Sequence, residues 1–370
     1  MNFTVSTKPL KAVLGMSIIN KNITNANPRS TIIQITADGD TLTLNTQATS
    51  LKTEARIQGH GEGEAATFIA SCGIFKQLIS SINTSTIGLE FSEHNLTIKA
   101  GKSSFTLNAS SEYDNMSLAS PTIPTDGEVE SAELLNVAKW KFIQDHQLYA
   151  LAKTFEPSPA FTRIYNGANG DVIVGDFSNS LFTHTGGLNL GIDCLLTVYV
   201  VNLVASMPET AKLVKSGSDF VIAIKTDSYD YYTQIEPKAD EASAYPASDI
   251  LGLMQALDNE SITVDVAEIT NALSQSQLLN SDNDRKIVME IRGESINLID
   301  SNVDCEITGV GEISAERSCR MTFGVDILRT AISKCPGAKV EIIPTYDGEG
   351  PNGLLLISDD FSTILGCEEE

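Results

Sequence analysis

The sequence predicts an α+β fold built from three copies of one domain, and three observations carry that prediction. First, a short phrase recurs: FTVSTKPLKAVL at 3–14, GEVESAELLNVA at 127–138 and ITVDVAEITNAL at 262–273. In each copy a Val stands five residues before a Leu or Ile (Val5 and Leu10, Val129 and Leu134, Val264 and Ile269), as where a strand turns into an amphipathic helix. Second, a helical phrase recurs later, in FIASCGIFKQLISSI, VYVVNLVASMPETAKLV and FGVDILRTAISKC. Each is followed by the apolar–polar alternation of half-buried antiparallel strands. Third, SLASPTIPTDGE at 117–128 and EPKADEASAYPASD at 236–249 have the Pro, Ser and Gly content of linkers. They divide the chain into domains at 1–122, 123–246 and 247–370, each of common domain size.

Each domain is then expected to pack two helices on antiparallel sheets. The helices are placed at 8–21, 70–83, 131–147, 198–215, 265–280 and 324–335. At 42% hydrophobic residues the chain can bury a sizeable core. MNFTVSTKPLK lacks the charged-then-apolar order of a signal peptide, and the most apolar run, LLTVYVVNLV at 195–204, is too short to span a bilayer. A soluble cytoplasmic protein with no membrane role is expected. The six cysteines form no C-x-x-C pair and read as reduced thiols in small core positions.

Motifs for chemistry are few. AGKSS at 100–104 lacks the earlier Gly of a phosphate loop, because Leu96 stands there, and it reads as a hairpin turn. GHGEG at 59–63 has Glu64 where a dinucleotide loop needs Gly, and it reads as a flexible turn. NSDND at 280–284 has Ile287 where a calcium loop needs its sharp-turn Gly. His60, His94, His146 and His184 have no metal-ligand spacing. No catalytic set, metal or cofactor is expected, and the protein reads as a non-enzyme.

Charge says more. The expected helices carry ten basic residues: Lys8, Lys11, Lys21, Lys76, Lys139, Lys141, Lys212, Lys215, Arg329 and Lys334. They carry six acids, Glu133, Asp145, Glu209, Asp265, Glu268 and Asp326, so they are net +4 in a chain of net −23, and the remainder is −27. Glu suits a helix surface as well as Lys does, so propensity alone does not explain the split. A modest basic surface on an acidic body suits loose retention of a polyanion.

With these features in place, the whole chain resembles the bacterial DNA polymerase III β subunit, the ring-shaped sliding clamp. AGKSSFTLNASSEYDNM at 100–116 is similar to the family's Gly-Arg/Lys-Ser-x-Phe segment. Tyr165-Asn166-Gly167 resembles its Leu-Asn-Gly, Tyr245-Pro246 its Phe-Pro before the third domain, and FGVDILRTAI its last helix. ITNANPRST, DFSNSL at 176–181 and LGCEEE replace three of the family's phrases, which fits a divergent member such as one carried by a virus of bacteria.

The resemblance implies a homodimer closed head to tail into a ring around double-stranded DNA, holding a DNA polymerase and opened by a clamp loader. The DNA-facing residues it implies are Lys21, Lys76, Lys139, Lys141, Lys212, Lys215, Arg329 and Lys334. It implies a dimer interface of Phe105 and Leu107 against Leu278 and Leu279. It implies a partner-peptide pocket of Tyr165, Ser178, Leu181, Pro246, Ile250, Leu251, Ile364 and Leu365. Beside that pocket Glu368, Glu369 and Glu370 would favour basic over acidic peptides. The rival reading is an acidic β-rich structural or adhesive protein.

Overall fold

Strand β1 (Asn2–Ser6) buries Phe3 and Val5, and at Thr7 the chain turns into α1 (Thr7–Met16), which buries Leu10, Val13 and Leu14. The spacing of those three residues is the helical apolar stripe. In this computed structural model the described residues are 1–16, 31–48, 51–110, 113, 116–151, 163–216, 219–255, 260–279, 285–346 and 350–368.

The first third continues with β2 (Ile32–Asp38), β3 (Thr41–Ala48), β4 (Leu51–Glu62), β5 (Ala66–Ser71), α2 (Cys72–Ser81), β6 (Thr86–Phe91), β7 (Asn95–Ala100) and β8 (Ser103–Asn108). The middle third has α3 (Asp126–Ser131), β9 (Glu133–Leu134) and α4 (Val137–Phe142), which runs on as a π turn to 147 and a 3-10 turn to 151. Then come β10 (Ile164–Asn166), β11 (Val172–Asp176), β12 (Leu181–Thr185), β13 (Cys194–Leu196), α5 (Val198–Ala205), β14 (Lys212–Ser216), β15 (Asp219–Lys225) and β16 (Tyr229–Ile235). The last third has α6 (Ala239–Ala242), α7 (Ala247–Gln255), β17 (Ile262–Asp265), α8 (Val266–Leu279), β18 (Lys286–Ile299), β19 (Asp304–Ile313) and β20 (Cys319–Gly324). It closes with α9 (Val325–Ser333), β21 (Lys339–Tyr346), β22 (Pro351–Ser358) and β23 (Phe361–Gly366).

Two compact units result, residues 1–137 with 202–237, and residues 138–201 with 238–370. In the first, one sheet runs β8-β7-β6-β1-β4-β16-β15-β14-β9, with β2, β3 and β5 branching from β4. Helices α1 and α2 pack on each other and on β4 and β2, and they bury Leu10, Phe75 and Ile79. In the second, the sheet runs β13-β10-β11-β12-β23-β22-β21-β17-β19-β18-β20, and α8 packs on α9 over Ile269, Leu273, Leu328 and Ile332. Every strand pair described is antiparallel.

Three local expectations are corrected. The recurring phrase is displaced in the middle third. Thr125 and Glu128 form a capping box, in which the Thr125 hydroxyl accepts from the Glu128 amide and the Glu128 carboxylate accepts from the Thr125 amide. Val129 therefore sits in a helical turn, and the strand-to-helix passage comes later, at β9 and α4. The helix expected at 198–215 ends at Ala205, before Pro208, and KLVKS forms β14, so Lys212 and Lys215 lie on a strand. GHGEG is not a turn up to Glu62. Gly59 and Gly61 belong to β4, which crosses β1 so closely that a Cβ on Gly59 would lie 2.4 Å from the Phe3 ring. Gly309 repeats this on β19, where a Cβ would lie 2.2 Å from Ile262. AGKSS is the β7–β8 hairpin, with Gly101 at φ +60°. The 280–284 segment lies outside the described residues.

Candidate functional site

The sheets run on across the thirds of the chain in one recurring way. Leu51–Ile57 of β4 pairs with Tyr229–Ile235 of β16, the last strand of the middle third. Likewise β12 pairs with β23, the last strand of the final third, from Leu181↔Leu365 to Thr185↔Phe361. At each joint the end of a first helix touches the incoming strand. Tyr231 on β16 donates to the Met16 carbonyl at the end of α1, 3.2 Å away. Tyr149, at the end of the helix that begins with α4, lies 3.1 Å from the Thr363 hydroxyl on β23.

One edge of each kind is left over. β8 is the last strand of the first third and, among the described residues, ends its sheet. On β19, Asp304–Thr308 pairs with β18 on one side, and among the described residues no strand covers its other side. Several exposed apolar residues belong to these elements or to the helices packed on them, among them Val310 on β19. Phe105 on β8 is 37% exposed, and Leu278 and Leu279 at the end of α8 are 85% and 62% exposed. Beside β8, Leu107 lines a cavity of about 230 Å³ with Ile74, Thr106 and Tyr113. Ile74 was not singled out by sequence, although it stands on the solvent side of an otherwise amphipathic helix.

The pocket residues divide between the two faces of the β11–β12–β23 sheet. Leu181 and Leu365 pair and point to one face, where Leu181 meets Tyr149 and Ile327. Phe182 and Ile364 point to the other. There an aromatic cluster forms: Tyr165 stacks on Tyr245 at 5.3 Å, and Phe177 lies edge-on to Phe182 at 4.8 Å and to Tyr245 at 6.0 Å. Ile250 is buried within it, Leu251 packs against it, and Pro246 starts α7 by accepting from the Ile250 amide. Ser178 is exposed on the turn after β11, its amide held by the Asp176 carboxylate. Next to the cluster lies a cleft of about 340 Å³ lined by Phe182, Leu253, Tyr346, Ile364, Leu365 and Cys367, among others, so that Leu365, although paired with Leu181, also borders this side. Phe182, Leu253 and Tyr346 line this cleft and Phe177 packs in the cluster beside it, and sequence reasoning named none of the four. The signal was period-two alternation, which sets Leu181 and Ile364 on opposite faces once their strands are paired.

The basic residues also divide. Lys141 is exposed and Lys76 half-buried on their helices. The Lys139 ammonium donates to the Thr185 hydroxyl at 2.8 Å and lies 4.7 Å from the Phe142 ring; burial lowers its pKa. Lys334 follows α9 and donates to the Asp145 carbonyl. Lys212 donates to the Val129 and Glu130 carbonyls, both at 2.9 Å, and so caps the end of α3. Lys215 is exposed on β14, and Arg329 on α9 has a buried Nε without a partner. Lys21 lies outside the described residues. Helices α5 and α8 carry no Lys or Arg.

The fold also aligns Ser362, His184 and Asp171. His184 Nε2 is 2.9 Å from Asp171, but Ser362 Oγ is 3.5 Å from His184 Nδ1 and equally near the Met254 sulfur. That separation exceeds the ~2.6–3.2 Å of a proton-transfer contact, and the row reads as packing. Among the described residues no group of His, Cys, Asp and Glu could hold a metal ion, and no helix is long and apolar enough to cross a membrane.

Residues 1–117 match the family model for the DNA polymerase III beta subunit, N-terminal domain. The whole chain has the fold of solved β subunits. It superposes on that of Thermotoga maritima with a TM-score of 0.78 at 11% identity, covering 100% of this chain and 99% of that one. The Streptococcus pyogenes β subunit gives 0.72 at 16% identity, with both chains covered completely. The Helicobacter pylori β clamp bound to a DNA ligase peptide gives 0.70 at 15%, again over both whole chains. Among curated proteins none matches the chain by sequence.

Proposed function

We propose that this protein is a DNA sliding clamp: a ring of two chains that encircles duplex DNA and tethers a replicative DNA polymerase as a processivity factor. The observation that carries the reading is the repeated joint. Two joints inside the chain each pair an inner strand with the last strand of the next third. The uncovered side of β19 and the free edge of β8 are the two halves of a third such joint, which two chains complete head to tail. On this reading the three thirds are domains 1–122, 123–246 and 247–370. Phe105 and Leu107 of one chain then meet Leu278 and Leu279 of the other, and the Ile74–Leu107 cavity receives a leucine.

A closed ring holds DNA by topology, so weak phosphate contacts suffice and strong ones would hinder sliding. The exposed and half-buried bases Lys76, Lys139, Lys141, Lys215, Arg329 and Lys334, together with Lys21, supply them. Lys212 contributes charge while it is held by two carbonyls. The aromatic face of the second unit takes partner peptides from the polymerase and the loader. The protein is a cytoplasmic tether and has no catalytic step of its own.

The test is retention on DNA. Loaded protein should stay on closed circular DNA and leave once the circle is cut. Equal loss from both forms, with particle images of an open rod, would replace the clamp with an acidic structural protein.

A further inference from the structure

We infer that Phe182 is a displaceable ring: an aromatic side chain of a docked peptide takes its place beside Phe177 and Tyr245, and the peptide backbone accepts a hydrogen bond from the Tyr245 hydroxyl. The inference rests on the reading that this face binds partner peptides, and it names the anchor such peptides carry.

Register puts Gly175, Phe182 and Ile364 in one row across β11, β12 and β23. Gly175 is where the row makes room. A Cβ there would lie 2.6 Å from the Phe182 ring and 3.2 Å from the Tyr245 hydroxyl. The ring and the hydroxyl therefore share a space that a side chain on β11 would fill. Phe182 is also the one member of the aromatic cluster that lines the neighbouring cleft. It forms a partition, with the cluster on one side and the cleft on the other. At about 340 Å³ the cleft is in the size range of ligand pockets, so the ring has somewhere to go.

Two further features point to an occupant. Leu253 at the rim is 56% exposed, and Tyr346 beside it is 38% exposed, so apolar surface converges on the opening. The Tyr245 hydroxyl is buried without a hydrogen-bond partner, in a residue only 5% exposed. A phenol in that position is satisfied by an acceptor brought from outside, and a peptide carbonyl is the acceptor every peptide carries. Exchange of one ring for another conserves apolar volume, the kind of swap that packed interiors tolerate best. A peptide without an aromatic residue would displace the ring and leave the space empty.

The experiment selects peptides from a random displayed library on the full-length protein, then measures the enriched peptides, labelled with fluorescein, by anisotropy. Phe182→Ala and Phe182→Leu remove the ring, Tyr245→Phe removes the donor, and Leu253→Asp blocks the rim. Selected peptides should carry an aromatic residue. Both Phe182 variants should bind them about tenfold tighter, because the competent state is no longer a minor population. Tyr245→Phe should weaken them about three- to tenfold. As a readout independent of mutant folding, fluorophenylalanine at position 182 should shift its fluorine resonance on binding. Unchanged affinity in the Phe182 variants with an unmoved resonance would overturn the ring exchange, while a loss confined to Leu253→Asp would leave the peptide site standing. Enrichment no better than on Leu253→Asp would remove the peptide site and the exchange together.

Discussion

Tyr231 donates its hydroxyl hydrogen to the Met16 carbonyl, 3.2 Å away, so a strand of the middle third holds the end of the first helix. Tyr149 and Thr363 make the corresponding contact at the next joint. In the last third the corresponding helix ends in Leu278 and Leu279, both exposed. Burying each side chain in a third joint would contribute about 1.5–3 kcal/mol. The double variant Leu278→Asp with Leu279→Asp should therefore weaken dimerisation by at least about a hundredfold while leaving the fold intact. Sedimentation of a well-folded variant that still dimerises would sink this interface.

The close strand crossings give a stability prediction. Gly59→Ala and Gly309→Ala each place a Cβ well inside the contact distance of Phe3 and Ile262, respectively. Each should cost about 1–3 kcal/mol in urea unfolding, as overpacking does. Gly73→Ala is the contrast. Nothing lies within 4 Å of its Cβ, and it sits in α2. It should stabilise by about 0.5–1 kcal/mol. A neutral Gly59→Ala would mean that β1 and β4 can separate at no cost.

These glycines also show how far the sequence could be read. Strand alternation and helical stripes were legible, since Phe3, Val5, Leu10 and Val13 need only local periodicity. Gly59 and Gly61 were not, because their meaning lies in β1, more than fifty residues away in sequence. The middle phrase was misaligned because Val129 fits an apolar position in a strand or a helical turn equally well, and the capping box at Thr125 decided the matter. Apolar spacing continues past Pro208 into KLVKS, so periodicity alone reads Lys212 as helical, whereas the helix ends at Ala205 and Lys212 lies on β14. Tyr165, Ile250 and Ile364, which the resemblance names, lie in or beside the aromatic cluster and its cleft. Phe182 carries no local signal, because which of two adjacent strand residues faces the cluster depends on strand pairing.

The basic residues should not act alike on DNA. Lys141 is exposed, so Lys141→Gln should reduce the salt dependence of duplex binding by about one unit of slope and leave stability unchanged. Lys212 is tied to two carbonyls, so Lys212→Gln should lower stability by about 0.5–1.5 kcal/mol through the lost cap. Anisotropy across a salt series and urea unfolding separate the two. Identical effects of both variants in both assays would contradict the distinction.

Three thiols should be silent in the native state. Burial pushes Cys72, Cys194 and Cys335 from an ordinary value near 9 up to about 12. A raised value means that the folded state holds its proton longer than the unfolded chain. Stability from these groups is therefore fully present below about pH 9 and is lost as pH rises through about 12. Tyr165, pushed up to about 12 by burial and then by Asp193, adds a loss of the same sign from pH 10 upward. A thiol reagent at mildly alkaline pH should reach these three cysteines only after unfolding, and the Tyr165→Phe variant should soften the alkaline decline. Rapid native labelling of Cys72 would refute the burial argument.

The end of the chain bears on which peptides the proposed site would prefer. Cys367 lines the cleft, and the next residue is fixed twice: the Glu368 amide donates to the Thr322 carbonyl at 2.9 Å, and its carboxylate pairs with Lys286. A pair this exposed is worth little in stability, but it does offset one of the three terminal charges. Glu369 and Glu370 lie outside the described residues. The terminal charge should therefore steer basic peptides to the cleft, and more strongly once Lys286 is gone. Lys286→Gln should raise the association rate of a basic peptide about two- to threefold at low salt, with little effect on dissociation. Deleting residues 368–370 should abolish the difference between basic and acidic versions of one peptide. Because steering is screened, the effect should fade at physiological salt. Stopped-flow association of the paired peptides decides the matter: a rate difference that survives the deletion would remove the tail from the specificity of this face.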